Sequence, residues 1–132
     1  MSDRLPDGPA NDPSHGLPQD PDGEFEPVYD GVQQWVEEVF STTFVRRARA
    51  RWCARWWTHP EAVVRLTALW QSWELYRLEP GTGIADWLIR YLDPIQRELC
   101  SDEGPFSACT PDRHTEPVAW PVDPVPPGAL PR

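Results

Sequence analysis

The sequence predicts an all-α fold, a small three- to four-helix bundle between Pro-rich tails, and three observations carry that prediction. Apolar residues recur at spacings of three and four through the middle of the chain. Seven of the eight Trp lie between Trp35 and Trp87. The 17 prolines crowd the ends, with six before Val28 and seven after Phe106. Segments dense in Pro with Asp, Gly and Ser bury too little apolar surface to offset chain ordering. Residues 1–27 therefore read as a disordered acidic tail, 28–106 as a helical Trp-rich domain, and 107–132 as a disordered Pro-rich tail. A domain that small is marginal unless its core is rich in large side chains. Trp35, Trp56, Trp57, Trp70, Trp73 and Trp87 are the expected structural core.

The first helix is expected over about 31–45. Asp30 and Gln33 have the spacing of a capping box, and Val32, Trp35, Val36, Val39, Phe40, Thr43 and Phe44 form one face. Arg46 and Arg47 end that face and suit the negative end of a helix. The second helix, about 59–78, starts at Thr58 with Glu61 three residues on, or at His59 as the alternative cap, with Pro60 in its first turn. Its stripe runs through Val63, Leu66, Leu69, Trp70, Trp73 and Tyr76, and Glu79-Pro80-Gly81-Thr82-Gly83 stops it. A third stripe, Ile84, Trp87, Leu88, Tyr91 and Leu92, is expected to end at Asp93-Pro94, where Asp93 caps a last short helix bearing Ile95 and Leu99. Gly104-Pro105 closes the domain. Leu75, Leu78 and Ile89 fall off these stripes and leave the oligomeric state open.

The formal charge of −9 is unevenly spread. Residues 1–27 hold seven acids and one Arg, whereas 28–106 hold eleven acids against nine Arg and are nearly neutral. No acid separates Glu38 from Glu61, and Arg46, Arg47, Arg49, Arg51 and Arg55 fall in that gap, a local basic patch. All 12 basic residues are Arg, a bias that a GC-rich coding sequence explains without selected chemistry. No apolar run follows a basic start, and nothing approaches the ~18 apolar residues of a membrane span. A cytoplasmic protein with no membrane partner is expected, and three Cys make a disulfide framework improbable there.

The string Trp52-Cys53-x-Arg55-Trp56-Trp57-x-His59-Pro60-Glu61-Ala62, followed by Leu66-x-x-Leu69-Trp70-x-x-Trp73-Glu74, Pro80-Gly81-Thr82-Gly83 and Gly104-Pro105-Phe106, resembles a family of uncharacterised proteins from GC-rich filamentous bacteria. Members often carry Pro where this chain has Ala54. The resemblance implies an accessory protein of plasmids or other mobile elements, and it lends no catalytic or binding residues.

Arg46, Arg47, Arg49, Arg51 and Arg55, interleaved with Trp52, are the expected partner-binding residues. Guanidinium groups meet carboxylates or phosphates, and an exposed indole stacks on unpaired bases. The competing reading has Arg stems lying on Trp faces and Glu61 or Glu74 neutralising the run. The acids Asp3, Asp7, Asp12, Asp20, Asp22, Glu24 and Glu26 sit on a segment long enough to screen the patch. Cys53, His59, Cys100, Cys109 and His114 supply zinc donors, but Cys100 and Cys109 are nine apart and not closely paired, so no metal is expected. Cys53 reads as a small buried apolar residue and His59 as a cap or packing residue. A Cys53/His59 nucleophile pair lacks an orienting third group. Asp86, Asp93, Glu98, Asp102 and Glu103 read as solvated acids beside turns, and Pro121-x-x-Pro124-x-Pro126-Pro127 as a polyproline II tail. No catalytic residue and no cofactor is expected. The functional expectation is a non-enzymatic interaction protein that presents the Arg/Trp surface to a protein partner; the alternative is a DNA- or RNA-binding accessory modulated by the acidic tail.

Overall fold

The computed structural model describes residues 25–44 and 46–132, so the acids up to Glu24 lie outside the described residues. Three helices form the body. The first, α1, covers 32–43, α2 is Pro60–Tyr76, and α3 covers 83–99. A single 3-10 turn, Trp56–Thr58, precedes α2. Among the described residues the β structure is one isolated bridge, Thr110 with Arg113. The sequence-based helix positions hold to within two residues, except that one expected boundary is absent.

That boundary is Asp93-Pro94. Leu92 and Asp93 are both right-handed helical (φ −65° and −60°), and α3 runs through them from Gly83 to Leu99. A proline inside a helix removes a donor and drives its ring against the carbonyl four residues back. The chain relieves this by widening the preceding turn, Leu88–Leu92, so that the Asp93 N–H reaches the Leu88 carbonyl five residues away. One π-turn thus absorbs the proline without ending the helix. A second such turn, Val36–Phe40, widens α1. Just beyond it, the Ser41 and Thr42 hydroxyls donate to the Glu37 and Glu38 carbonyls at 3.1 and 2.8 Å, a local competition that loosens a helix.

The expected caps are absent as side-chain bonds. Gly31 is the N-cap of α1, and Gln33 Nε2 donates to Glu37 rather than returning to Asp30. His59 is the N-cap of α2 without a side-chain bond, and Glu61 accepts from Arg65 at 2.9 Å. The start of α1 is held by tertiary contact. Glu74, on α2 and 1 % exposed, accepts from the Val28 N–H at 2.8 Å, the Tyr29 N–H at 2.9 Å and Trp70 Nε1 at 3.0 Å. Its Oε1 also pairs with Arg77 at 3.1 Å. One buried carboxylate therefore ties the entering chain to α2.

The α2 stop forms as the sequence predicts. Gly81 takes φ +81°, which L side chains rarely adopt. At Gly83 a Cβ would meet the Tyr76 carbonyl and lie 2.7 Å from Glu79 Cβ, so glycine lets α3 start against the end of α2.

Indoles and one phenyl ring form the centre. Trp35, fully buried, lies 6.1 Å from Trp73, 6.0 Å from Phe40 and 6.3 Å edge-on from Trp87. Trp87 Nε1 donates to Ser72 Oγ at 2.8 Å, whereas Trp35 Nε1 has no partner. Trp56 is buried, and Trp70 and Trp73 are half-buried against this core. Trp57 departs from expectation: it is 59 % exposed and meets Trp56 edge to face. Val36 and Phe40 spend the buried face of α1, leaving Thr43 exposed. Ile84, at the first turn of α3, is also exposed.

The core does not stop at 106. Phe106 is fully buried 5.0 Å from Trp52, and Cys109 is 1 % exposed within the same cluster. The chain then turns at 110–113, where Thr110 and Arg113 exchange backbone bonds of 2.9 and 3.1 Å. The expected tail therefore contributes buried residues to the body through its first turn. Residues 117–132 follow without helix or strand, and Trp120, the eighth Trp, is 89 % exposed.

Candidate functional site

Two features converge where the 46–55 loop meets the C-terminal segment. The first is the arginine surface. Residues 46–55 are not helical, so the Arg side chains do not share a helix face. Arg46, Arg47, Arg49 and Arg55 are exposed. The loop is nonetheless held. The Arg51 N–H donates to the Cys100 carbonyl at 2.8 Å, the Arg51 side chain pairs with Asp102 at 3.4 Å, and Arg46 reaches the Ala50 carbonyl at 3.4 Å. Glu61 and Glu74 do not neutralise this run; they pair with Arg65 and Arg77.

Two open depressions flank the loop. One of about 570 Å³ is lined by Arg47, Arg49, Arg97, Asp93 and Asp102 among others. Another of about 360 Å³ is lined by Arg46, Arg49, Arg51, Trp52 and Asp102 among others. The acids Asp93 and Asp102, expected to be merely solvated, thus alternate with arginines on one surface. Trp52 is only partly available, because its ring packs on Phe106 at 5.0 Å and Phe40 at 5.9 Å. Cys100 lines the larger depression, and burial pushes its thiol up to about 11 despite the nearby Arg46 charge. A thiol held protonated there is a poor nucleophile.

The second feature was not expected. Cys53, His59, Cys109 and His114 bring Sγ, Sγ and two ring nitrogens within 4.8 Å of one another. Three chain segments meet here: the end of the Arg loop, the N-cap of α2, and the turn after α3. Cys53 Sγ lies 3.2 Å from His114 Nδ1, and Cys109 Sγ lies 3.6 Å from His59 Nε2. Cys53, His59 and Cys109 are each at most 2 % exposed. Around them, the Thr115 N–H points at Cys109 Sγ from 3.3 Å and His114 Nε2 meets Glu116 Oε2 at 3.0 Å. His59 stacks edge-on against Phe106 and His114, both at 5.2 Å.

Burial raises the Cys53 thiol above its ordinary range, opposed by the Arg55 backbone. Burial, then the His114 charge, lowers His59, against the pull of Glu116 and the Pro105 carbonyl. This shift favours the neutral imidazole, and its Nδ1 is buried without a hydrogen-bond partner. The sequence-based expectation treated these donors as scattered. They form two short Cys–His pairs, Cys53-x5-His59 and Cys109-x4-His114, and the fold superposes them. Cys100, the remaining free cysteine, stands apart from the group.

Among the described residues no helix is long and apolar enough to cross a membrane. Comparison with curated proteins and with solved structures gives no match. A family's sequence model does match, over residues 25–127, and that span takes in the three helices, the Arg loop and all four Cys and His donors. The chain belongs to the family described as Domain of unknown function (DUF4913).

Proposed function

We propose that this protein is a non-enzymatic interaction module whose Arg loop presents a mixed-charge surface to a protein partner of complementary charge pattern. One observation supports this reading most: Arg47, Arg49 and Arg97 share a depression with Asp93 and Asp102. Alternating signs set register and orientation against another protein's side chains. A phosphate backbone, by contrast, gains most from uninterrupted positive charge. Trp52 argues the same way, since an indole spent on Phe40 and Phe106 is a poor stacking platform for bases. The loop's anchoring to Cys100 and Asp102 favours binding by fixing its geometry beforehand. The service of a plasmid or other mobile element, implied by the family resemblance, is the proposed setting.

Co-purification of the full chain from its host, with and without nuclease, tests the class of partner. The partner is expected to remain after nuclease, and Arg47→Glu with Arg49→Glu to weaken its binding about tenfold, the yield of two or so exposed ion pairs. DNA or RNA binding with a log–log salt slope near −4, the value for four to five phosphates, flattened by replacing Arg51 and Arg55, would overturn this reading.

A further inference from the structure

We propose that Cys53, His59, Cys109 and His114 hold one zinc ion in a closed structural site that fastens the C-terminal segment to the start of α2. Zinc bonds of about 2.3 Å to sulfur and about 2.0–2.1 Å to nitrogen put neighbouring ligand atoms roughly 3.3–3.8 Å apart in a tetrahedron. The two Cys–His contacts here are 3.2 and 3.6 Å, and all four donor atoms lie within 4.8 Å of one another. Tetrahedral closure thus needs shifts of an ångström or less.

The donor chemistry selects the ion. Two thiolates and two imidazoles suit zinc and not magnesium or calcium, which take oxygen ligands. Four protein donors leave no open position for a substrate, so the site is structural. Two thiolates cancel the charge of a divalent ion, which makes burial of the whole unit tolerable where a lone buried ion is not.

The surroundings are those of metal ligands. Glu116 engages His114 Nε2 at 3.0 Å, fixing the proton there and leaving Nδ1 to face Cys53. The Thr115 N–H points at Cys109 Sγ from 3.3 Å, an outer-shell donor that orients the sulfur. His59 directs Nε2 into the group from a ring that is 2 % exposed. In a body this small, a metal joining segments more than fifty residues apart contributes directly to folding.

The test uses the full chain purified without chelator. Elemental analysis is expected to find one zinc per chain, and a chelator to release it while unmasking two thiols, those of Cys53 and Cys109, that the loaded protein protects. Substitution by Co(II) is expected to give the intense visible absorption of a tetrahedral site with a thiolate charge-transfer band in the near ultraviolet. His114→Cys is expected to keep the metal and strengthen that band by about half, as a third thiolate joins two, and Cys100→Ser to leave both unchanged. Cys109→Ser is expected to lose the zinc; if that variant fails to fold, the chelator experiment on the unaltered chain still decides. Protein that takes up no zinc when folded with it present, or that carries a Cys53–Cys109 disulfide, would overturn the proposal.

Discussion

Replacing Glu74 with Ala is expected to lower stability by about 3–5 kcal/mol, the range for breaking a buried charged network by removing one member. The carboxylate accepts from two backbone N–H groups, an indole N–H and a guanidinium within a site that is 1 % exposed. Arg77 recovers part of the loss, because its side chain is 21 % exposed and lies over the Trp73 ring at 5.5 Å. Trp70 Nε1 and the Tyr29 N–H each lose a charged acceptor. Glu74→Gln is expected to cost less than Ala but more than about 1 kcal/mol, because an amide brings its own donors to a site built of donors. Chemical denaturation of the three proteins measures this, and hydrogen exchange should show the loss concentrated at residues 28–31. Equal stability of Glu74→Ala and the unaltered chain would mean that the tie between the entering chain and α2 contributes nothing.

Trp35→Ala is expected to cost a similar 3–5 kcal/mol or more, as a fully buried Trp leaves a cavity bounded by Trp73, Trp87 and Phe40. Domains of this size hold only about 5–15 kcal/mol in total, so the variant sits near the edge of folding. Trp35→Phe separates the contributions. The indole N–H has no partner in the core, so its removal forfeits no hydrogen bond and only volume is lost. The Phe variant is therefore expected to retain more than half of what Ala loses, read as the shift in denaturation midpoint.

How far the sequence reaches is clearest at particular residues. The second helix and its stop were legible, because Pro60, the three-and-four stripe and Pro80-Gly81 each act through local backbone geometry. Burial of Trp35 and Trp87 followed from the same periodicity and that of Trp56 from the bulk of its indole alone, while Trp57 misled because two adjacent indoles on one turn cannot both face inward. The break at Pro94 failed for a physical reason: a wider turn accommodates the ring at less cost than restarting a helix. The role of Glu74 was missed because an acid near an Arg run reads as its counter-charge, and only tertiary contact supplies its backbone donors. At the candidate site, the Arg run was visible as composition, but the acids that share its depression come from α3 and Asp102, some fifty residues away. The Cys–His group was hidden twice: its donors pair as Cys with His and not as Cys with Cys, and the proline content of 107–132 marked that segment as tail. Proline lowers the cost of ordering a short turn as readily as it prevents a helix.

The Arg surface and the Cys–His group both depend on one claim, that residues 106–116 close over the loop 51–59 and belong to the folded body. Thermal unfolding of a chain ending at residue 106 against one ending at residue 117 tests it directly. Loss of Cys109, the 110–113 turn and His114 is expected to lower Tm by roughly 10 °C or more, taking ~4–8 °C per kcal/mol for a domain of this size, while the longer chain matches the full protein. Midpoints for the two shortened chains that agree within about 2 °C, under half the shift that 1 kcal/mol produces, would contradict the account.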